Sequence, residues 1–374
     1  MTPEHGPWDP LPLPDLVHLL EGCVAPWWVA GGHALELHLG RSWRPHDDTD
    51  AGIRRVDGVR VLRHLQEQGW EVVVAAAGVL RPWHGRELDL AASEGNVWCR
   101  RPGGPWRLDL LVGEGTDERW VYRRDPSLSR PWSRAVLRRD GVPYLAPDLQ
   151  LLFKSRTVRP KDQADADTAL PHLDGGGLAL LRAQLQPDHP WRPLVDRLAP
   201  ACSAADAARV LALLEDEGLA CWVDGGWAAD ALLGEQTREH GDLDLALPLP
   251  GHVRALDLLG REGFEVVRTD GPANQVVADP DGVTVDLHGF DTDVVVLDAD
   301  GVRRHHGAGV AYQVDGFGGT GVIGGRAVRC IDAATLVRYH TGYEVDADDW
   351  HDVRLLCERF ELSIPAEYER FRAT

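Results

Sequence analysis

The feature that most constrains this chain is an internal repeat. Residues 28–50, WVAGGHALELHLGRSWRPHDDTD, return at residues 222–244 as WVDGGWAADALLGEQTREHGDLD, at a constant spacing of 194 and without a gap. The copies share Trp28/Trp222, Gly31/Gly225, Gly32/Gly226, Gly40/Gly234, Arg44/Arg238, His46/His240, Asp48/Asp242 and Asp50/Asp244. The spacing persists further on, where Gly69-Trp70-Glu71-Val72-Val73 matches Gly263-Phe264-Glu265-Val266-Val267. A repeat of this kind predicts two copies of one domain, and 374 residues are enough for two of ordinary size. The expected bounds are 1–190 and 200–374. Residues 171–200, which hold Gly-Gly-Gly and several prolines, are the expected connection between them.

Bulk properties narrow the function. No apolar run is long enough to span a bilayer, so no membrane partner is expected. The N-terminal segment MTPEHGPWDPLPLPDL lacks the basic start and apolar core of a secretory signal. Six cysteines, at 23, 99, 202, 221, 330 and 357, form no Cys-x-x-Cys pair, which predicts reduced thiols and a cytoplasmic protein. A net charge of −20 makes nucleic acid an unfavourable partner and is compatible with a cationic small molecule.

The repeat carries chemistry. A helix over residues 34–39 stops at Gly40, and 47–53 reads as a strand. Residues two apart on a strand share a face, so Asp48 and Asp50 are expected to present their carboxylates together, as are Asp242 and Asp244. Adjacent carboxylates repel unless a cation or a proton sits between them, and such hard oxygen ligands suit Mg²⁺. A hairpin pattern follows in each half and places Asp109 and Asp286 in equivalent positions on a second strand. They are the expected third carboxylates; Asp89, within an insertion of the first half, is the competitor to Asp109. Backbone N–H groups at Gly31-Gly32 and Gly225-Gly226, each opening a helix, can cradle phosphates. Arg44 and Arg238 read equally well as phosphate contacts or as partners of carboxylates. Lys154 and Lys161 read first as helix salt bridges or surface cations. His46 and His240 read as hydrogen-bonding structural residues, and the two Trp as core. No zinc-ligand cluster, Gly-x-Ser-x-Gly or Gly-x-x-x-x-Gly-Lys motif is present.

These residues resemble the nucleotidyltransferase superfamily of antibiotic-modifying enzymes. The second half is similar to lincosamide and aminoglycoside nucleotidyltransferases through Val223-Asp224-Gly225-Gly226-Trp227, Thr237-Arg238-Glu239-His240, Asp242-x-Asp244, Val285-Asp286-Leu287-His288 and Asp349-x-x-Asp352. The first half resembles the aminoglycoside 2''-adenylyltransferase type through Ala30-Gly31-Gly32, Arg44-x-His46, Asp48-x-Asp50, Leu108-Asp109-Leu110, Leu151-x-x-Lys154 and Lys161-Asp162. The resemblance implies an α/β (α+β) fold of two tandem nucleotidyltransferase domains, each a small mixed sheet flanked by helices with a C-terminal helical part. It implies Mg²⁺ held by Asp48, Asp50 and Asp109 and by Asp242, Asp244 and Asp286, with Asp109 and Asp286 as catalytic bases. It implies ATP or another nucleoside triphosphate bound by Gly31, Gly32, Arg44, Lys154 and Lys161 and by Gly225, Gly226 and Arg238. The implied reaction moves a nucleoside monophosphate to a hydroxyl of a small molecule, an aminoglycoside or lincosamide type of antibiotic, and releases pyrophosphate. Two departures stand out: His33 replaces a Trp after the glycines, and Asp348 stands where the first half has Lys161. The alternatives are nucleotidylation of a protein or tRNA, and a half that only binds a nucleotide or ligand. The order of residues leaves the acceptor, the nucleotide and the oligomeric state open.

Overall fold

A computed structural model describes residues 6–372. The first five residues of the segment read above as lacking a secretory signal lie outside the described residues. The chain divides into two compact units. One runs to Leu173 and takes in Pro187–Leu194; the other comprises Asp174–Gln186 and continues from Val195.

The first unit opens with α1 (Leu13–Glu21), β1 (Trp27–Val29), α2 (Gly31–Leu39), β2 (Asp50–Arg54) and α3 (Gly58–Glu67). Strands β3 (Glu71–Ala76), β4 (Val79–Pro82), β5 (Asn96–Arg100) and β6 (Trp106–Gly115) follow. Next come β7 (Arg119–Val121), β8 (Ser129–Pro131), the short α4 (Trp132–Ala135), β9 (Val136–Arg139), β10 (Val142–Leu145), α5 (Pro147–Lys154) and α6 (Pro160–Ala169). Its sheet has the order β4-β3-β5-β6-β2-β1-β10-β9. Strand β2 is parallel to β6, and β1 is parallel to β10. The insertion expected in the first half contributes the edge strand β4.

Helices α7 (Gly175–Gln184) and α8 (Arg192–Leu198) follow. The second unit then runs α9 (Ala204–Asp216), β11 (Trp222–Val223), α10 (Gly225–Leu233), β12 (Leu243–Pro248), α11 (Leu249–Arg261), β13 (Glu265–Thr269), β14 (Asn274–Ala278) and β15 (Thr284–Phe290). A separate hairpin, β16 (Val295–Leu297) and β17 (Arg303–His305), precedes β18 (Gly319–Ile323), β19 (Arg326–Cys330), α12 (Ala333–Tyr339), α13 (Ala347–Phe360) and α14 (Glu369–Arg372). Its sheet has the order β13-β14-β15-β12-β11-β19-β18. Strand β12 is parallel to β15, and β11 is parallel to β19. Apart from β4 and the β7–β8 pair that extends from β6, strand order and pairing sense coincide in the two units.

Both units are mixed α/β. Apolar residues of β11, β12 and β15 form one core with α9, α10, α11 and α13, in which Val223, Leu243, Leu245, Val285 and Leu287 are fully buried. Helices α2 and α10 stop at Gly40 and Gly234, whose left-handed φ angles of 71° and 83° let the chain reverse at low steric cost.

Three expectations need correction. Asp48 and Asp242 are not strand residues: the strands begin at Asp50 and Leu243. Strand β1 covers only three residues and β11 only two, so no backbone lies alongside the preceding segment on that side. The glycine run 175–177, placed above in the connection between domains, is the first turn of α7, capped by the Asp174 carboxylate accepting from the Gly177 N–H. Residues 316–325, GFGGTGVIGG, whose glycines would predict turns, contain β18. A Cβ on Gly321 would lie 2.0 Å from the carbonyl oxygen of Ala231, so glycine here permits strand–helix contact. Gly321→Val is expected to lower the denaturation midpoint of the second unit, by about 1–3 kcal/mol. The exposed Thr320→Ala is expected to change little; equal midpoints for the two variants would overturn this account.

Candidate active site

Parallel pairing sets the geometry. Asp50 on β2 lies in register with Asp109 on β6, and Asp244 on β12 with Asp286 on β15. Asp89 sits in an exposed turn. In each unit the carboxylate of the strand's Asp fills the space behind the glycine turn. A Cβ on Gly31 would lie 2.1 Å from Asp50 Oδ2, and one on Gly225 2.2 Å from Asp244 Oδ2. Both glycines have left-handed φ angles, 66° and 59°. Steric room and backbone conformation therefore both call for glycine at the start of α2 and α10. The Gly31 N–H donates to Gln150 Oε1 at 2.8 Å, and the Gly225 N–H to Asp224 Oδ1 at 2.9 Å.

The acids are electrostatically loaded. Burial, followed by repulsion from Asp48 and Asp109, pushes the Asp50 carboxyl up to about 8. Burial raises Asp109 to about 7, against hydrogen bonds from Asn96 and Trp98. The Asn96 amide donates to both Asp109 oxygens, at 3.2 and 3.1 Å. In the second unit burial, then Asp244 and Asp286, pushes Asp242 up to about 7, and burial raises Asp286. Such shifts mark sites that a cation relieves.

A divalent cation fits this arrangement. Asp244, Asp286 and His288 each place one ligand atom within 4.8 Å of the others, the one such trio among the described residues. Asp286 Oδ1 is buried without a hydrogen-bond partner. His288 Nε2 lies 3.5 Å from Asp244 Oδ1 and 3.7 Å from Asp286 Oδ1. Burial works against protonation of His288, but the two carboxylates outweigh it and raise its pKa to about 9. Alternation along β15 puts Asp286 and His288 on one face, which was the signal for His288 in the sequence. Neither Asp242 nor the first unit's Asp48, Asp50 and Asp109 forms such a close trio. Arg268, on β13, reaches Asp286 at 3.5 Å and Asp270 at 2.7 Å, and nothing in the residue order pointed to it.

The expected cations are distributed unevenly. Arg44 forms a two-point ion pair with Asp165, Nε–Oδ1 and Nη2–Oδ2 both at 2.7 Å. Arg238 does the same with Asp352, at 2.9 and 2.6 Å. Their partners lie on α6 and α13, not in the aspartate cluster. Lys154 is buried between Asp162, at 2.9 Å, and Asp165, at 3.0 Å. Lys161 Nζ lies 3.6 Å from Asp48 Oδ2 and 3.5 Å from Asp47. The second unit has exposed Asp348 on α13 instead, 3.9 Å from Arg238.

Behind the glycines, His46 Nε2 pairs with Glu36 at 3.1 Å and His240 Nε2 with Asp230 at 2.5 Å. His33 stacks on His46 at 3.8 Å, where Trp227 packs on His240 at 4.5 Å. Burial and then His46 hold the His33 pKa down to about 4, so it stacks as a neutral ring at physiological pH.

Burial pushes the Asp162 carboxyl up, but hydrogen bonds from Arg159 and Lys154 prevail and hold it at about 2. A depressed carboxyl stabilises the fold above its ordinary value, and that stability is lost as pH falls from about 4 to about 2. Asp162→Asn is expected to be less stable at neutral pH and to lose less over that acid window, measured by urea midpoints. Parallel midpoint–pH curves for variant and parent would contradict it.

Comparison with known proteins points to one family. A family model described as Aminoglycoside-2''-adenylyltransferase matches residues 13–92 and 206–356, more than half of the chain. A lincosamide resistance protein of Staphylococcus haemolyticus is 26% identical over 150 residues, 39% of this chain and 89% of the relative. A 2''-aminoglycoside nucleotidyltransferase of Escherichia coli is 48% identical over 40 residues, 11% of this chain and 23% of the relative. The lincomycin-bound structure of the lincosamide adenylyltransferase LnuA aligns at 24% identity and a TM-score of 0.36, covering 42% of this chain and 98% of that one. The structure of ANT(2")-Ia with adenylyl-2"-tobramycin aligns at 20% identity and a TM-score of 0.34, covering 46% and 97%. The chain belongs to the aminoglycoside-2''-adenylyltransferase family and is a nucleotidyltransferase.

Proposed function

We propose that this protein transfers AMP from ATP to a hydroxyl of a small antibiotic-like acceptor, in tandem nucleotidyltransferase domains descended from one duplicated unit. The observation that carries this reading is the pair of opposed aspartates, Asp50–Asp109 and Asp244–Asp286, each set behind a glycine turn with no room for a Cβ. The shared strand order supports duplication, with domains at 1–190 and 200–374. The relatives act on aminoglycosides and lincosamides by name, which makes those compounds the first acceptors to test. The six free cysteines are in keeping with a reducing cytoplasm.

In this reading Asp48, Asp50 and Asp109 hold Mg²⁺ in the first unit, and Asp242, Asp244 and Asp286 in the second, where His288 is placed to join them. A bound Mg²⁺ neutralises phosphate charge and makes phosphorus more electrophilic. At the Gly31-Gly32 and Gly225-Gly226 turns the N–H groups of Gly32 and Gly226 cradle the phosphate chain at a helix N-terminus, while those of Gly31 and Gly225 stay on Gln150 and Asp224. Lys161, 3.6 Å from Asp48, contacts phosphate. Arg44, Arg238 and Lys154 serve nucleotide binding by anchoring α6 and α13 through Asp165 and Asp352. The acceptor oxygen attacks the α-phosphorus, the bond to the β-phosphate oxygen breaks, and pyrophosphate leaves. Asp109 or Asp286 takes the hydroxyl proton.

A second reading, in which only the first unit catalyses, is favoured by Asp348 at the place of Lys161 and by Arg268 beside Asp286. Asp109→Asn and Asp286→Asn separate the two readings. At least one is expected to lower acceptor-dependent pyrophosphate release by about 10²–10⁴-fold. Full activity in both variants, or none from the parent with Mg²⁺, ATP and a broad aminoglycoside and lincosamide panel, would refute the proposal. Mg²⁺ at about 100 times its Kd is expected to stabilise the fold by about 2.7 kcal/mol. An unchanged melting temperature in saturating Mg²⁺ would count against metal binding.

A further inference from the structure

We propose that Arg182, on α7, is the phosphate-binding cation of the second unit's aspartate site, where it holds the β- and γ-phosphates of the nucleoside triphosphate and the pyrophosphate they become. The proposal rests on the transfer reading above. It gives the second site a residue from outside the repeat, in the stretch that the sequence suggests is only a connection.

The two copies of the repeat set different charges around equivalent acids. In the first unit Asp47 and Asp48 face Lys161 on α6, at 3.5 and 3.6 Å. At the repeat spacing of 194 the second unit has Gly241 and Asp242 in their place. Its helix α13 offers the exposed Asp348 instead of a lysine. A triphosphate brought to Asp242, Asp244 and Asp286 adds negative charge to negative charge, so a cation has to come from another element.

Helix α7 supplies it. The first turn of α7 is pressed against the turn at residues 279–282. The Gly176 N–H donates to the Pro280 carbonyl at 3.0 Å, and a Cβ on Gly175 would lie 2.0 Å from the Asp281 carbonyl oxygen. At the other end Gln184 Nε2 donates to the Val267 carbonyl on β13 at 2.7 Å. A helix held at both ends aims Arg182 at one place. Its guanidinium lies across Gly241, the residue before Asp242: Nη1 donates to the Gly241 carbonyl at 3.3 Å, and a Cβ there would lie 2.2 Å from Nη1 and 2.4 Å from Nη2. Burial, then Asp244 and Asp286, raise the Asp242 carboxyl, and Arg182, followed by Arg268, pulls against that rise.

Arg182 also pairs with Asp196, Nε to Oδ1 at 3.2 Å. The two side chains are 34% and 40% exposed, so water competes for this pair and it adds little to the fold. A phosphate offers the planar fork of the guanidinium two oxygens at once, in charge-assisted hydrogen bonds. In the transfer the acceptor oxygen bonds to the α-phosphorus, and the bond to the β-phosphate oxygen breaks. The electron pair stays on that oxygen, and an arginine at this place holds the charge that gathers on the leaving pyrophosphate.

The test uses the full chain and α,β-methylene-ATP, whose bridging carbon prevents transfer. Binding is measured by calorimetry with Mg²⁺, in a Lys161→Glu background that removes the phosphate contact of the first unit. Arg182→Gln is expected to weaken this binding at least about tenfold, and Arg182→Lys by less. Gly241→Ala crowds only the flexible end of Arg182 and is expected to follow Arg182→Gln. Asp196→Asn breaks the same ion pair but keeps the guanidinium, and is expected to leave binding equal or tighter. Unchanged affinity in Arg182→Gln, an equal loss in Asp196→Asn, or no binding at all in the Lys161→Glu background would overturn the assignment. Analogue binding that falls in Arg182→Gln, with no pyrophosphate release from ATP and any acceptor, would sink the transfer reading alone. Asp286-dependent pyrophosphate release with an unchanged KM for ATP in Arg182→Gln would sink this inference alone.

Discussion

Two carboxylates facing each other across neighbouring parallel strands repel, and both units of this protein are built to keep them there. Burial first, and repulsion from neighbouring carboxylates after it, makes Asp50, Asp109 and Asp242 hold protons to unusually high pH without a cation. The backbone leaves the acids little freedom: the glycine turn closes over one carboxylate, and the ladder fixes the other. Such strain in a folded protein is a reservoir that a divalent ion and its phosphate ligand can discharge.

The rest of each unit supports that arrangement. The two-point ion pairs Arg44–Asp165 and Arg238–Asp352 tie the segment before the aspartates to α6 and α13. His46 and His240, each bonded to a buried acid on the preceding helix, brace the same segment from behind. These are the polar residues common to both copies of the repeat, and most act on the shape of the site rather than on a ligand. The arginines that the repeat singled out are spoken for by carboxylates of the C-terminal helices.

The two sites have nonetheless diverged. The first keeps Lys154, Lys161 and an open sheet face beside Trp28. The second has His288, Arg268 and Asp348 near its acids, and Phe290 fills the sheet face. These differences alter charge and volume a few ångströms from equivalent carboxylates, and this is the scale on which specificity is set.

The order of residues was enough to determine the repeat, the mixed α/β character, most helices and strands, and the opposition of Asp109 to Asp50 and Asp286 to Asp244. Those features are local: period-two and period-3.6 patterns, glycine stops, and a duplication that lets one half check the other. It misplaced the start of β2, because a strand begins where a partner backbone lies alongside, and β1 is only three residues long. It could not tell that Gly321 lets a strand touch a helix, that Lys154 is buried between two acids, or that Gly113 and Phe290 make one sheet face hollow and the other full. Each of these depends on which distant side chain arrives at a given surface, and that is decided only when the sheet and its helices pack.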